Sequence, residues 1–460
     1  MEMLQNAFDV FISLGGASIM FFIITLLSLL FRVPFSKAVE GGLRMAIALT
    51  GMGAVISLLT SSFGKALNSF VESTGVDLSI TDLGWAPLAV ITWGSVYTLY
   101  FALGAIIVNL VMLFMKWTNT LNVDLFNIWN VSILGLLVQY YGHNFIVTTL
   151  FVIAIIVLML LNADAIKPTI DELLDYGEDN ITTTAHPSLL VAPIVMVFNK
   201  LIDKLFPSID KYDFDADTLN EKIGFWGSKF AIGSYLGIFI GILGKQEFSE
   251  ILTLAFTAGV CLELFAYVGG WFGPAIEPLS NGISSMMSSK LRGRKLFVAI
   301  DWPVLASRAE IWAVANILAP ILLIIAMVLP GNKVLPLGGI ILTVLTPALL
   351  IVTKGKVIRM TVIGTIMIPL FLYAATMIAQ FITETSIAMG TFPEGLSKGQ
   401  LFSSIDSDPI EKMIGVLIGK ATSSPNLVLV ASAIGAIVVY GIVFKWYLNT
   451  MKKNTIPNID

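Results

Sequence analysis

Charge is scarce in this chain. Asp, Glu, Lys and Arg make up 13% of its 460 residues, against about a quarter in soluble domains, which excludes a soluble globular protein. The net charge is −4 with no large basic cluster, which excludes a nucleic-acid binder. Cysteine is almost missing: the lone Cys261 rules out an intrachain disulfide and any two-cysteine metal site. Histidine is confined to His143 and His186, too few for zinc chemistry or a histidine-dependent active site. The phosphate-cradling pattern G-x-x-x-x-G-K-[ST] occurs nowhere, so no ATP-driven pump is encoded here. No cofactor and no metal are expected. The first two dozen residues lack a basic n-region and a small-residue cleavage site, so the first apolar run reads as an uncleaved span.

What the chain has instead is long apolar runs. Residues 10–31, 45–64, 83–115, 125–163, 334–353, 360–383 and 421–444 carry no Asp, Glu, Lys or Arg, and each reaches the ~20 residues that cross a bilayer core. They resolve into eleven spans and an all-α integral membrane protein. Lys and Arg collect after the odd-numbered spans, as at Arg32, Lys37 and Arg44, at Lys290, Arg292, Arg294 and Lys295, and at Lys354, Lys356 and Arg359. Cytoplasmic loops collect such charges, so the N-terminus is expected outside and the C-terminus in the cytoplasm. The expected organisation is a first transmembrane repeat over 1–162, a cytoplasmic loop with amphipathic segments over 163–224, a second, inverted repeat over 225–384, and an external loop with the last helix over 385–460.

The repeat rests on an echo about half a chain apart. "GWAPLAVITW" (84–93) is answered by "DWPVLASRAEIW" (301–312), each followed by a long apolar span and an Asn-containing turn. Inverted repeats place substrate at the membrane midplane between interrupted helices, and re-entrant hairpins are tolerated where they line a protein cavity. Within this frame "NVDLFNIWN" (122–130) opens a charge-free run with a polar ladder. Asp124 sits at the helix start and either caps it or faces substrate. Asn127 and Asn130 lie deeper, and amides supply both the donors and the acceptors that a hydroxyl-rich ligand needs. Asp301 lies beside Trp302 at a re-entrant tip and reads as a substrate contact, since intramembrane acids are functional by default. Glu310 reads as the ion-pair partner of Arg308. His186, in "TTTAHPSLL", marks a bent entry to a cavity or a satisfied structural group. Thr92 and Trp93 face the same cavity or are ordinary packing. Glu263 reads as buried, and Cys261 as a core residue. On residues alone the reading stops at a transporter with inverted repeats: an ion-coupled secondary transporter using Asp124, Glu263 or Asp301 stays open, and a purely binding or scaffolding membrane protein is the third class, one that would leave the midplane polar groups without a use.

"NVDLFNIWN", "AHPSLLVAPI", "FGPAIEPL", "IDWPVL" and "PGNKVLPLGG" occur in this order along nearly the whole chain. Together they resemble the membrane component, enzyme IIC, of the galactitol-type sugar phosphotransferase system, within the ascorbate-galactitol superfamily. The resemblance implies a homodimer of elevator-type transporters in the bacterial cytoplasmic membrane, with two inverted five-helix repeats. It implies a polyol substrate that a separate enzyme IIB, itself charged through IIA, phosphorylates at the cytoplasmic face. It assigns substrate contact to Asn127, Asn130, His186, Asp301, Thr92 and Trp93. Whether this chain counts as an enzyme stays open: the phosphoryl donor would be a cysteine on IIB, with no phosphorylated residue here. Galactitol members carry His where this chain has Asn130, which leaves galactitol, a pentitol such as arabitol or ribitol, or a hexose as candidates. The basic loops Lys290–Lys295 and Lys354–Arg359 are either IIB docking sites or topology signals.

Overall fold

The computed structural model describes residues 15–74, 78–122, 127–174, 181–184, 187–213, 216–290, 296–299, 305, 308–396, 399–406, 408–424 and 426–453. These residues are mostly helical. Seven helices among them are long and apolar enough to cross a membrane: Phe35–Leu59, Tyr97–Phe114, Phe145–Leu173, Phe248–Leu279, Ala309–Val328, Val357–Ala388 and Leu427–Lys452. A pair bent by 54°, Glu221–Gly227 with Lys229–Leu243, adds an eighth if it is one span. Eleven spans were expected, and the difference has identifiable sources. The run 334–353 is not one helix: it holds a two-residue strand, an irregular stretch and the eight-residue helix Thr346–Thr353. Pro336, Gly338 and Gly339 interrupt it, and neither residue type propagates a helix. The helix Asn127–Gly142 has 16 residues, short for a full crossing.

Six short strands were not anticipated. They form two three-stranded sheets, each wholly parallel. In the first, β1 (Ile80–Asp82) lies between β5 (Val334–Leu335) and β6 (Leu401–Ser403). In the second, β4 (Phe297–Ala299) lies between β2 (Thr120–Asn122) and β3 (Ile181–Thr182). Each central strand therefore comes from one half of the chain and each flanking pair from the other.

The strands occupy matching places. β1 leads into "LGWAP" and β4 into "IDWPV", the two members of the echo. β2 follows the helix Tyr97–Phe114, and β5 the helix Ala309–Val328. An asparagine closes each of these turns. Asn109 donates to Thr120 O and accepts from Asn122 N, while Asn332 donates to Ala326 O and accepts from Val334 N. The third strands are pinned alike: the Thr182 hydroxyl donates to Ala163 O of the helix Phe145–Leu174, and the Ser403 hydroxyl to Ala375 O of the helix Val357–Ala388.

Candidate functional site

Where β1 ends, Asp82 is fully buried and gathers the backbone of three segments. Its Oδ1 accepts from Gly84 N and Ile405 N, each at 3.0 Å. Its Oδ2 accepts from Leu337 N at 3.1 Å and Gly339 N at 2.7 Å. Four amide donors on one carboxylate satisfy every lone-pair direction a buried acid offers. The approach is so close that Gly338 has no room for a side chain: a Cβ there would lie 2.4 Å from the Leu83 carbonyl carbon. Gly84 faces it in the left-handed region, at φ +68°, which only glycine enters freely.

Asp82 thereby aims the buried half-helix Ala86–Trp93 into the bundle, with a break at Gly94–Val96 before Tyr97–Phe114. A short buried helix followed by a break is the local form expected of a re-entrant element. Thr92 is fully buried, but its hydroxyl donates to Leu88 O at 2.6 Å, and its carbonyl accepts from the Thr98 hydroxyl. Its polar groups are therefore used within this element. Trp93 is buried, and its indole Nε1 has no hydrogen-bond partner among the described residues. With Thr98, Ile128 and Leu279 it lines a cavity of about 20 Å³.

Opposite stands the helix Asn127–Gly142, which packs against Ala86–Trp93; Trp85 and Trp129 meet with ring centroids 5.9 Å apart. Asn130 is 1% exposed, an amide placed inside the bundle rather than on its surface. Ser132, two residues on, is fully buried, and its hydroxyl has no hydrogen-bond partner among the described residues. The structure thus brings Thr92, Trp93 and Asn130 onto two facing helices. Asp124, His186 and Asp301, and the side chain of Asn127, lie outside the described residues. The strands preceding the first three are described. Asn122, Thr182 and Ala299 are in register across one parallel sheet, so β2, β3 and β4 all end on the same side.

Other expectations fall differently. Glu263 is exposed, a correction to its reading as buried: its helix turns that side outward toward Lys229. Glu310 pairs with Arg308, whose Nε lies 3.0 Å from Oε2. Cys261 is buried. Arg359, in a loop considered for docking, faces inward: it donates to Asp203 Oδ1 at 2.6 Å, Asn199 Oδ1 at 3.0 Å and Asp210 Oδ2 at 3.2 Å. Burial pushes the Asp203 carboxyl up, and the hydrogen bond and charge of Arg359, with Lys200, more than offset that and hold it below the usual carboxylate range. Sequence reasoning missed Asp82 and the group Asp408, Glu411 and Lys412, all buried. The signal for Asp82 was its place directly before the first member of the echo.

Comparison with known proteins bears on this site. Residues 10–395 match the family EIIC-GAT, described as the PTS system sugar-specific permease component. A permease IIC component of Escherichia coli (strain K12) is 27% identical over 390 residues, covering 83% of this chain and 87% of the relative. The galactitol-specific EIIC component of the PTS system in the same strain is 24% identical over 438 residues, covering 95% of this chain and 94% of the relative. Its counterpart in Escherichia coli O157:H7 matches equally. With its apolar helices, this is a multi-pass protein of the inner membrane, and the chain belongs to the sugar-specific permease (EIIC-GAT) family of the phosphotransferase system.

Proposed function

We propose that this chain carries a sugar alcohol of the galactitol type across the membrane, and that a separate enzyme IIB, supplied by IIA, phosphorylates it at the cytoplasmic face. The observation that carries the reading is the exchanged pair of sheets. Each half of the chain lends its central strand to the other, and the strand ends lead into the polar segments that the resemblance assigns to substrate. That arrangement supports two inverted repeats, which place a substrate at their junction. Asn127, Asn130, His186 and Asp301 supply the donors and acceptors for a polyol's hydroxyls. Asp124, Thr92 and Trp93 complete the lining, Trp93 offering a face to the carbon skeleton and an indole N–H without a hydrogen-bond partner among the described residues. Cys261, buried in the helix Phe248–Gly269, is not a phosphoryl donor.

The reading extends to a lipid-embedded homodimer working by an elevator-like motion, with the N-terminus outside and the C-terminus inside. The helix Leu427–Lys452 supports it: only 11% of its apolar stretch is buried within the chain, which leaves a broad face for lipid or a second copy.

The test is uptake of labelled galactitol, arabitol and ribitol into vesicles containing the protein, with and without phosphoenolpyruvate, the soluble phosphotransferase proteins, IIA and IIB. Accumulation of a phosphorylated product only with the full relay is the expected result and names the substrate. Concentrative uptake of the free polyol that collapses with the proton gradient overturns it in favour of an ion-coupled carrier.

A further inference from the structure

The helix Pro409–Ser423 opens with three ionisable side chains that the fold encloses. Asp408 is 0% exposed, Glu411 2% and Lys412 1%. Lys412 Nζ lies 3.5 Å from Asp408 Oδ2, one turn away, so these two balance each other's charge. Glu411 is left over. No side chain among the described residues donates a hydrogen bond to either of its carboxyl oxygens.

Among the described residues the surroundings supply no second cation. The helix packs against Asn127–Gly142, Phe145–Leu174, Val357–Ala388, the turn Pro187–Val191 and Leu427–Lys453. From these elements the titratable group facing Glu411 is Tyr440, whose hydroxyl donates to Leu190 O at 2.6 Å. Asp406, on the preceding loop, adds a negative charge beside Lys412. Among the described residues, Lys412 is the cation whose field reaches both Glu411 and Asp408. An ionised, unpaired carboxylate enclosed in this way is strongly disfavoured, and a group so placed takes up a proton instead.

We propose that Glu411 holds a proton in the folded protein, so that Asp408, Glu411 and Lys412 form a proton-binding site inside the permease. The site is close to the candidate binding face. A Cβ on Gly415 would meet Val138 and Leu137, and one on Gly419 would meet Tyr141, Val138 and Gly142. The helices Pro409–Ser423 and Asn127–Gly142 therefore run parallel in fixed register. One turn earlier in that register, Glu411 is level with Leu134 and within about a turn of Asn130 and Ser132 along the axis.

Infrared spectroscopy on the full-length protein in lipid vesicles tests this without any substrate, so it stands or falls apart from the transport reading. At neutral pH the expected signal is the carbonyl stretch of a protonated carboxylic acid, shifted on exchange into heavy water and missing from Glu411→Gln. Glu411→Asp serves as a second variant in which the band must move rather than vanish. No such band in the wild type, or a band unchanged in both variants, overturns the proposal. A band that disappears on adding sodium to the wild type also overturns it, by showing a metal cation where the proton was placed.

Discussion

The carboxylate of Asp82 is expected to be the most stability-critical single group in the fold. It accepts from the backbone of Gly84, Leu337, Gly339 and Ile405 and is fully buried. A buried amide donor left without its acceptor costs about 1–3 kcal/mol. Asp82→Ala orphans four, so even the low end amounts to about 4 kcal/mol, against the ~5–15 kcal/mol that holds a typical protein folded. Asp82→Asn is the sharper test because it keeps the size. Its amide retains one acceptor oxygen but turns an NH2 group toward two backbone donors, for a loss of about 2 kcal/mol or more. The chain provides its own reporter. Cys261 is its single cysteine and is buried, so the onset of labelling by a thiol-reactive dye on heating marks unfolding without competing sites. Both variants are expected to label at clearly lower temperature than the wild type. If Asp82→Asn labels with the wild-type onset, Asp82 is a packing residue and the four-donor account is wrong.

Three further outcomes follow from neighbouring contacts. Gly338→Ala forces a Cβ to within 2.4 Å of the Leu83 backbone and is expected to lower the labelling onset strongly, whereas Gly53→Ala, with nothing within 4 Å, leaves it unchanged. Arg359→Gln is expected to open the junction with Asp203 and Asp210, read as faster proteolysis between residues 199 and 213. Because the Asp203 carboxyl is held below its ordinary range, the native state binds fewer protons there than the unfolded chain. Its contribution is present above the unfolded value and lost as pH falls through the folded one, so acidification should mimic Arg359→Gln. Asn130→Ala is expected to weaken polyol uptake by roughly ten-fold, the order of one net hydrogen bond; Asn130→His should instead change the preference among galactitol, arabitol and ribitol.

The membrane character was legible because charge-free runs are a one-dimensional signal, and so was the echo, carried by tryptophans. Of the polar ladder, Asn130 is enclosed within the bundle. The strands were not legible: two or three residues leave no alternation to detect, and their pairing joins segments hundreds of residues apart, as at Thr81 with Leu335 and Phe402. Asp82 gave only a weak signal for the same reason, since its partners lie far along the chain. The string "SDPIEKM" misled in the opposite sense. It lies in the stretch expected as an external loop before the last helix, yet the fold turns Asp408, Glu411 and Lys412 inward at the start of a 15-residue helix. Glu263 shows the converse, an acid in an apolar run that faces outward. Sidedness depends on which helices become neighbours, and local sequence does not carry that.

The exchanged strands constrain any elevator-like motion of the kind proposed. β1 belongs to the first half of the chain but is bonded on both edges to the second, and β4 is held in the reverse sense. Sliding one half past the other would break both sheets, so the moving boundary cannot follow the midpoint of the sequence. The packing offers a different seam. Helices Gly15–Leu30, Phe35–Thr74, Lys229–Leu243, Phe248–Gly269 and Phe272–Lys290 pack on one another and contribute no strand to either sheet. The sheets and the helices carrying Trp93 and Asn130 form the other group. Trp85 stands where the two groups meet, its ring 5.8 Å from that of Phe272 and 5.9 Å from that of Trp129. Beneath it lies Gly269, where an added Cβ would come within 3.0 Å of the indole. A bulky ring rests there on a residue without a side chain, and no backbone hydrogen bond of either sheet crosses the seam. Relative movement along this seam therefore carries both sheets, Asp82 and the Asn130 helix as one piece, and a substrate held among them would travel with it.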